Sequence, residues 1–213
     1  MKIAIDGTPM VHGSRAVSRH TKNLLHAITK LYTHHEYKLL YIDRKEQRER
    51  YASFNHGCSI KNYVVRVPGR VLQKGWEYLT LPSGERLIGK FDIFYATDLY
   101  FPPSIHGTIL GTVHGLAYYV IEDMLVPKEV IALKKGLNYT LRNADYLLAV
   151  SDSTREELIK YLRVDERRIY VVNHGVDPHF KILKDREKLS TRLSKRFGLS
   201  ESYILFVGVI GNH

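Results

Sequence analysis

Short apolar runs alternate with segments of helical period along almost the whole chain, and few folds accept that alternation. The runs Lys2 to Asp6, Tyr37 to Asp43, Lys61 to Pro68, Asp92 to Ala96, Thr108 to Val113, Asp145 to Val150 and Arg168 to Val172 have the β-branched, apolar make-up of buried strands. Between them, Val17, Thr21, Leu24, Ile28 and Leu31 recur at helical spacing, so a helix begins close to Ser14 and Arg15. Lys45 to Phe54 reads as a charged helical segment. Trp76 to Leu87 reads as a helix broken near Leu81 by Pro82 and Gly84. Pro127 to Arg142 makes a helix with proline in its first turn, and Ser153 with Glu156 reads as a capping box opening a helix to about Leu162. The pattern predicts an α/β fold, a doubly wound, mostly parallel Rossmann-like sheet, complete as a domain over residues 1–180.

Beyond that domain, a linker helix is expected within residues 181–202, with Asp185 to Phe197 helical and Gly198 as its C-terminal cap. Tyr203 to Ile210, YILFVGVI, has the composition of a buried strand and is followed by Gly211. Residues 203–213 are therefore expected to be the first strand of a truncated second domain, the alternative being that this strand joins the sheet already built.

In open α/β sheets ligands bind outside the carboxyl ends of the strands. His114-Gly115 follows the strand Thr108 to Val113 and falls at such an end; a half-buried histidine with a satisfied ring is the competing reading. Gly7 to Ser14 is a loop between the first strand and a helix N-terminus, an arrangement whose free N–H groups suit a phosphate or carboxylate. Gly13 is a lone glycine, without a dinucleotide fingerprint or a P-loop lysine, and Arg15 and Arg19 either add cationic donors to that mouth or are surface arginines. Thr97-Asp98 ends the fourth strand, and the aromatic loop Leu99 to Pro103 either walls a pocket or caps the core. Glu77 and Glu85 share an E-x7-E spacing, read as coincidence because Pro82 separates them.

The chain has 213 residues with 44% hydrophobic content, enough for a sizeable core, and a net charge of +10, which points to an anionic partner. Its basic residues are spread over several segments and not interleaved with aromatics, so nucleic acid is not expected as a partner. Cys58 is the single cysteine, which excludes an internal disulfide framework. The eleven histidines are scattered, and the adjacent pair His34-His35 sits in a turn, so no metal is expected. The chain opens on a strand and has no apolar run long enough to span a bilayer, so a cytoplasmic protein is expected.

Seven motifs occur in one order: Ile5-Asp6; Arg19-His20-Thr21 with Asn23-Leu24-Leu25; Trp76-Glu77 with Leu81-Pro82; Asp92-Ile93-Phe94-Tyr95 with Pro102-Pro103; Thr112-Val113-His114; Ala144-Asp145 with Val150-Ser151; and His174-Gly175-Val176-Asp177. With them the chain resembles the N-terminal half of retaining glycosyltransferases of the GT-B fold, glycosyltransferase family four, and YILFVGVI is similar to the first strand of that family's second domain. The resemblance implies that His114 lies at the catalytic face near the transferred sugar, and that the loop from Gly13 to Arg19 faces the inter-domain cleft. It implies acceptor or phosphate binding by Gly13, Ser14, Arg15, Arg19, Asp98 and Gly115, a sugar or lipid-linked acceptor on this half, and a nucleotide-sugar donor held mainly by a missing C-terminal domain. Polysaccharide, lipopolysaccharide or glycolipid synthesis at the inner face of a membrane is the implied setting, and a basic module docking on an anionic membrane or glycan is the alternative. Three departures stand out. Ala16-Val17-Ser18-Arg19 replaces the family's glycine-containing run, Gly115 stands where aspartate is usual, and His174-Gly175 replaces Asn-Gly, a change expected to alter a turn and not the chemistry.

Overall fold

The computed structural model describes residues 1–12, 15–45, 51, 57–120, 126–177, 179–182, 185–199 and 203–207, with the Arg15 side chain left out. The chain divides into two compact units, Met1–Gly175 and Val176–His213.

The first unit is built on a seven-stranded sheet in the order β3-β2-β1-β4-β5-β6-β7, with every pairing parallel. Its strands are β1 (Lys2–Asp6), β2 (Glu36–Ile42), β3 (Ser59–Val65), β4 (Ile93–Ala96), β5 (Thr108–Val113), β6 (Tyr146–Ala149) and β7 (Ile169–Val171). The helices are α1 (Thr8–His12), α2 (Arg15–Leu31), α3 (Gly69–Leu79), α4 (Gly84–Ile88), α5 (Ala117–Val120), α6 (Pro127–Asn143) and α7 (Asp152–Leu162). This is the doubly wound sheet that the strand and helix alternation predicts. The direction of winding reverses between β1 and β4, which makes their carboxyl ends the topological switch point.

Neighbouring strand residues go to opposite layers, as the pleat requires. Ile5, Leu39, Tyr41 and Tyr95 form one core with Met10 and Val11 of α1 and Leu25 of α2. Ala4, Leu40, Phe94 and Val113 form the other with Trp76 of α3, Ile88 of α4, Leu137 of α6 and Leu158 of α7. Each of these fully buried leucines and isoleucines is worth roughly 1.5–3 kcal/mol against exposure, so the sheet is held from both sides. Lys38 of β2 is buried; its ammonium donates to the Ile88 and Lys90 carbonyls at 3.0 and 2.9 Å, closing the C-terminus of α4.

Several local expectations hold. The segment from Trp76 is broken as read: α3 ends at Leu79, Thr80 takes a left-handed conformation, the Leu81–Pro82 peptide is cis, and Ser83 caps α4. Pro127 sits in the first turn of α6. Two expectations fail. Residues Thr8–His12, read as loop, form α1, and the cap of α7 is Ser151, whose side chain accepts from Thr154 N at 3.1 Å; Ser153 lies inside the helix. The charged segment expected over Lys45 to Phe54 lies almost wholly outside the described residues.

In the second unit, α8 (Arg186–Phe197) is capped by the Asp185 side chain and closed by Gly198 in the left-handed region, as read from sequence. Residues 203–207 are exposed and carry no strand pairing among the described residues, and the rest of the strand expected over Tyr203 to Ile210 lies outside the described residues.

Candidate active site

The carboxyl rim of the sheet gathers the polar groups. At the switch point, Asp6 closes β1 and is only 5% exposed, although it is a carboxylic acid. Its Oδ1 accepts from Thr8 N at 2.9 Å. Burial outweighs that hydrogen bond and pushes its pKa up to about 7, with the Asp98 charge adding to the shift. Gly7 lets the chain turn away at this point, because a Cβ there would lie 2.5 Å from the Tyr41 ring. Beside Asp6 opens a cleft of about 380 Å³, lined among others by Thr8, His12, Arg44, Trp76, Asp98 and Tyr100. Asp98 is exposed, and its carboxylate accepts from Leu99 N at 2.7 Å. The Tyr100 hydroxyl is pushed up to about 12, first by burial and then by the Glu77 carboxylate beside it. The aromatic loop from Leu99 therefore both walls the cleft and packs into the core, where Phe101 is fully buried.

Thr97 ties the switch point to the next strand. Its hydroxyl donates to the Asp6 carbonyl at 2.9 Å, and its own carbonyl lies 3.0 Å from His114 Nε2. A carbonyl only accepts, so His114 carries a hydrogen on Nε2 and donates it there, and its Nδ1 has no hydrogen-bond partner among the described residues. His114 is exposed, at the end of β5 where the strand pattern puts it. Gly115 follows with φ +137°, a conformation that residues with a Cβ rarely adopt, and so swings the chain away from the rim.

Two further histidines meet His114. His20 from α2 lies with its ring centroid 5.7 Å from that of His114, and His174, just past β7, is 4.4 Å from His20 and 5.9 Å from His114. His20 and His174 are joined through their Nδ1 atoms at 2.9 Å. Burial, then the positive charge His174 and His114 can carry, holds His20 down to about 4; burial and His114 also lower His174. His174, expected only to alter a turn, is thus part of the rim cluster. His20 is legible in the sequence only within the Arg19-His20-Thr21 motif, and nothing in the sequence pairs two side chains separated by 154 positions.

The other anticipated residues are placed unevenly. Gly13 and Ser14 lie outside the described residues, and Arg15 is described only as the backbone opening α2. Arg19 is exposed on α2 next to His20 and makes no hydrogen bond or ion pair with a described residue. Asp98 lines the cleft just past β4 and His114 stands at the end of β5, bonded to the Thr97 carbonyl, whereas Gly115 acts through the backbone. Glu77 and Glu85 form no joint site: Glu77 serves Tyr100, and Glu85 Oε1 accepts from Ser104 Oγ and from the N–H groups of Ile105 and His106. No group of three or more histidine, cysteine or carboxylate side chains among the described residues has metal-binding geometry.

A doubly wound parallel sheet with a buried acid and a cleft at its switch point, and a histidine cluster nearby on the rim, has the architecture in which α/β domains bind ligands at strand ends. The chain belongs to glycosyltransferase family 4, whose family model matches residues 17–180. Among solved structures it is similar to HepE of Anabaena, determined in complex with UDP and glucose, at 17% identity and a TM-score of 0.43 over 91% of this chain and 50% of that one. It is also similar to a variant of the wall teichoic acid polymerase TagF, at 14% identity and a TM-score of 0.49 over 94% of this chain and 44% of that one. The chain therefore spans about half the length of these proteins. No curated protein matches it in sequence.

Proposed function

We propose that this glycosyltransferase family 4 domain is the acceptor-binding half of a retaining enzyme that uses a nucleotide-sugar donor, with His114 facing the transferred sugar. The observation that carries the reading is the fixing of His114 at the strand end: Thr97 holds Nε2–H, so Nδ1 remains available as a hydrogen-bond acceptor. An acceptor pre-positioned in this way stabilises charge or a hydroxyl near the reacting carbon without reorganising during the reaction. The cleft lined by Asp6, Asp98 and Arg44 supplies polar contacts for a sugar or lipid-linked acceptor. The nucleotide sugar would be held mainly by a second domain, and no metal is required of the residues on this half. The apolar stretch Tyr203 to Val207, exposed throughout, supports that reading, because such a surface is stable only when covered. Arg192, Lys195 and Arg196 of α8 would favour an anionic membrane surface bearing the acceptor.

The test has two arms. Thermal-shift titration of this chain is expected to show stabilisation by phosphorylated or lipid-like sugar acceptors and little response to nucleotide sugars; strong stabilisation by a nucleotide would reverse the assignment of halves. In an enzyme containing both halves, His114→Ala is expected to lower turnover by roughly 10²-fold or more with folding unchanged. Equal turnover would return His114 to a structural role.

A further inference from the structure

The helix α3 has two unlike sides. At about 100° of turn per residue, Gln73 and Trp76 fall on one side, and both line the cleft. Val71 and Tyr78 fall on the opposite side and are 58% and 76% exposed. Leu79, at the end of the helix, and Leu81, just beyond it, are exposed as well. Arg70 and Lys74 lie along the same outer side, beside Val71 and Tyr78. Both cations are exposed, and neither has a hydrogen bond or ion pair with a described residue. The one carboxylate of α3, Glu77, is half-buried and lies beside Tyr100, so it does not neutralise them.

We infer that the outer face of α3 docks on an anionic lipid bilayer, with Val71 and Tyr78 entering the interface and Arg70 and Lys74 meeting the headgroups. An exposed apolar stripe gains from being covered, and the two cations beside it select a cover that is apolar within and anionic at its edge. The net charge of +10 favours the same partner. The 11 residues of α3 make a helix roughly 16 Å long, and Val71, Tyr78 and Leu79 are spread along it, which suits a helix lying in the plane of a membrane. Because Gln73 and Trp76 line the cleft from the other side of the same helix, docking in this way holds the cleft about one helix diameter, roughly 10 Å, from the lipid surface. The docking face stands without the glycosyltransferase reading. That reading adds that the molecule brought to the cleft is one anchored in the membrane.

The test is sedimentation of the whole chain with vesicles of phosphatidylcholine alone and of phosphatidylcholine mixed with phosphatidylglycerol, at rising salt. The variants are Val71→Ser with Tyr78→Ser, Arg70→Gln with Lys74→Gln, and, on α8, Arg192→Gln with Lys195→Gln and Arg196→Gln. All four positions on α3 are exposed, so far-UV circular dichroism and melting temperature are expected to match wild type. Wild type is expected to bind the phosphatidylglycerol vesicles and to be released as salt rises, with each α3 pair lowering the partition coefficient roughly 10-fold or more. Wild type that ignores anionic vesicles overturns the inference. So does binding that both α3 pairs leave unchanged, whatever the α8 variant does. A wild type that self-associates and becomes monomeric with Val71→Ser and Tyr78→Ser would assign the face to a second copy of the chain instead. Vesicle binding is read without acceptor or donor, so its failure leaves the thermal-shift test of the cleft intact, and a failure of that test leaves the docking face intact.

Discussion

Asp6→Asn removes a buried titratable group from the switch point while keeping an acceptor for Thr8 N. In the native protein burial raises the Asp6 pKa from an ordinary 3.8 to about 7, so across the intervening range the folded state holds a proton that the unfolded chain has released. Stability then falls as pH rises, since the unfolded state binds fewer protons, and the contribution is fully present only below about 4. Integrating between pH 5 and 8 with these two values gives a loss of roughly 2.5 kcal/mol that the asparagine variant does not suffer. For a domain of this size that is a shift of roughly 5–10 °C in melting temperature. Thermal melts of wild type and Asp6→Asn at half-unit steps from pH 5 to 8 would show the wild type falling relative to the variant as pH rises. Parallel curves, or a variant that loses ground at high pH, would mean that Asp6 is ionised in the folded protein and that burial is not what governs it.

Two other perturbations bear on the frame around the cleft. Glu85→Ala is expected to lower the urea unfolding free energy by roughly 2 kcal/mol at neutral pH, because three donors of the loop after β4 lose one charged acceptor. Burial opposes ionisation of Glu85, but those donors hold its pKa down to about 2; its contribution is present above about 4.5 and lost as pH falls through 2, so the gap from wild type should close on acidification. Gly136→Ala sets helix propensity, a gain of roughly 1 kcal/mol, against overpacking, a loss of roughly 1–3 kcal/mol. The added Cβ would lie 2.9 Å from Leu99 Cδ1, 3.0 Å from Leu99 Cβ and 3.1 Å from Tyr100 Cε2, so denaturant titration is expected to show net destabilisation, and a more stable variant would mean that the cleft wall yields freely.

The elements that could be read from sequence were those fixed by local chemistry. β5 ends where its apolar run ends, α3 breaks before Pro82, and α8 stops at Gly198 because each boundary is written in neighbouring residues. α1 was not legible, since Thr8–His12 is too short to establish a period and contains Pro9. The cap of α7 was misplaced by two residues because Ser151 and Ser153 are chemically alike and only the backbone hydrogen bond distinguishes them. The place of His114 at the end of β5 could be read from that strand alone. Asp6 is read as a strand-ending carboxylate from sequence, but its burial depends on Tyr41 and on the strand order. His20, near the start of α2, and His174, just past β7, meet across 154 positions of sequence, and only the common sheet brings those two ends together.

Thr97 gives that rim a mechanical character. A single residue donates to the end of one strand and accepts from the side chain at the end of another, so displacement of Asp6 and displacement of His114 share one joint. Group transfer tolerates positional error of only about half an ångström between reacting groups and their supports. A frame with a common joint spreads a push at the cleft across three strand ends instead of letting one side chain drift. The alignment of His114 is in this sense a property of the sheet's carboxyl rim, set through Thr97.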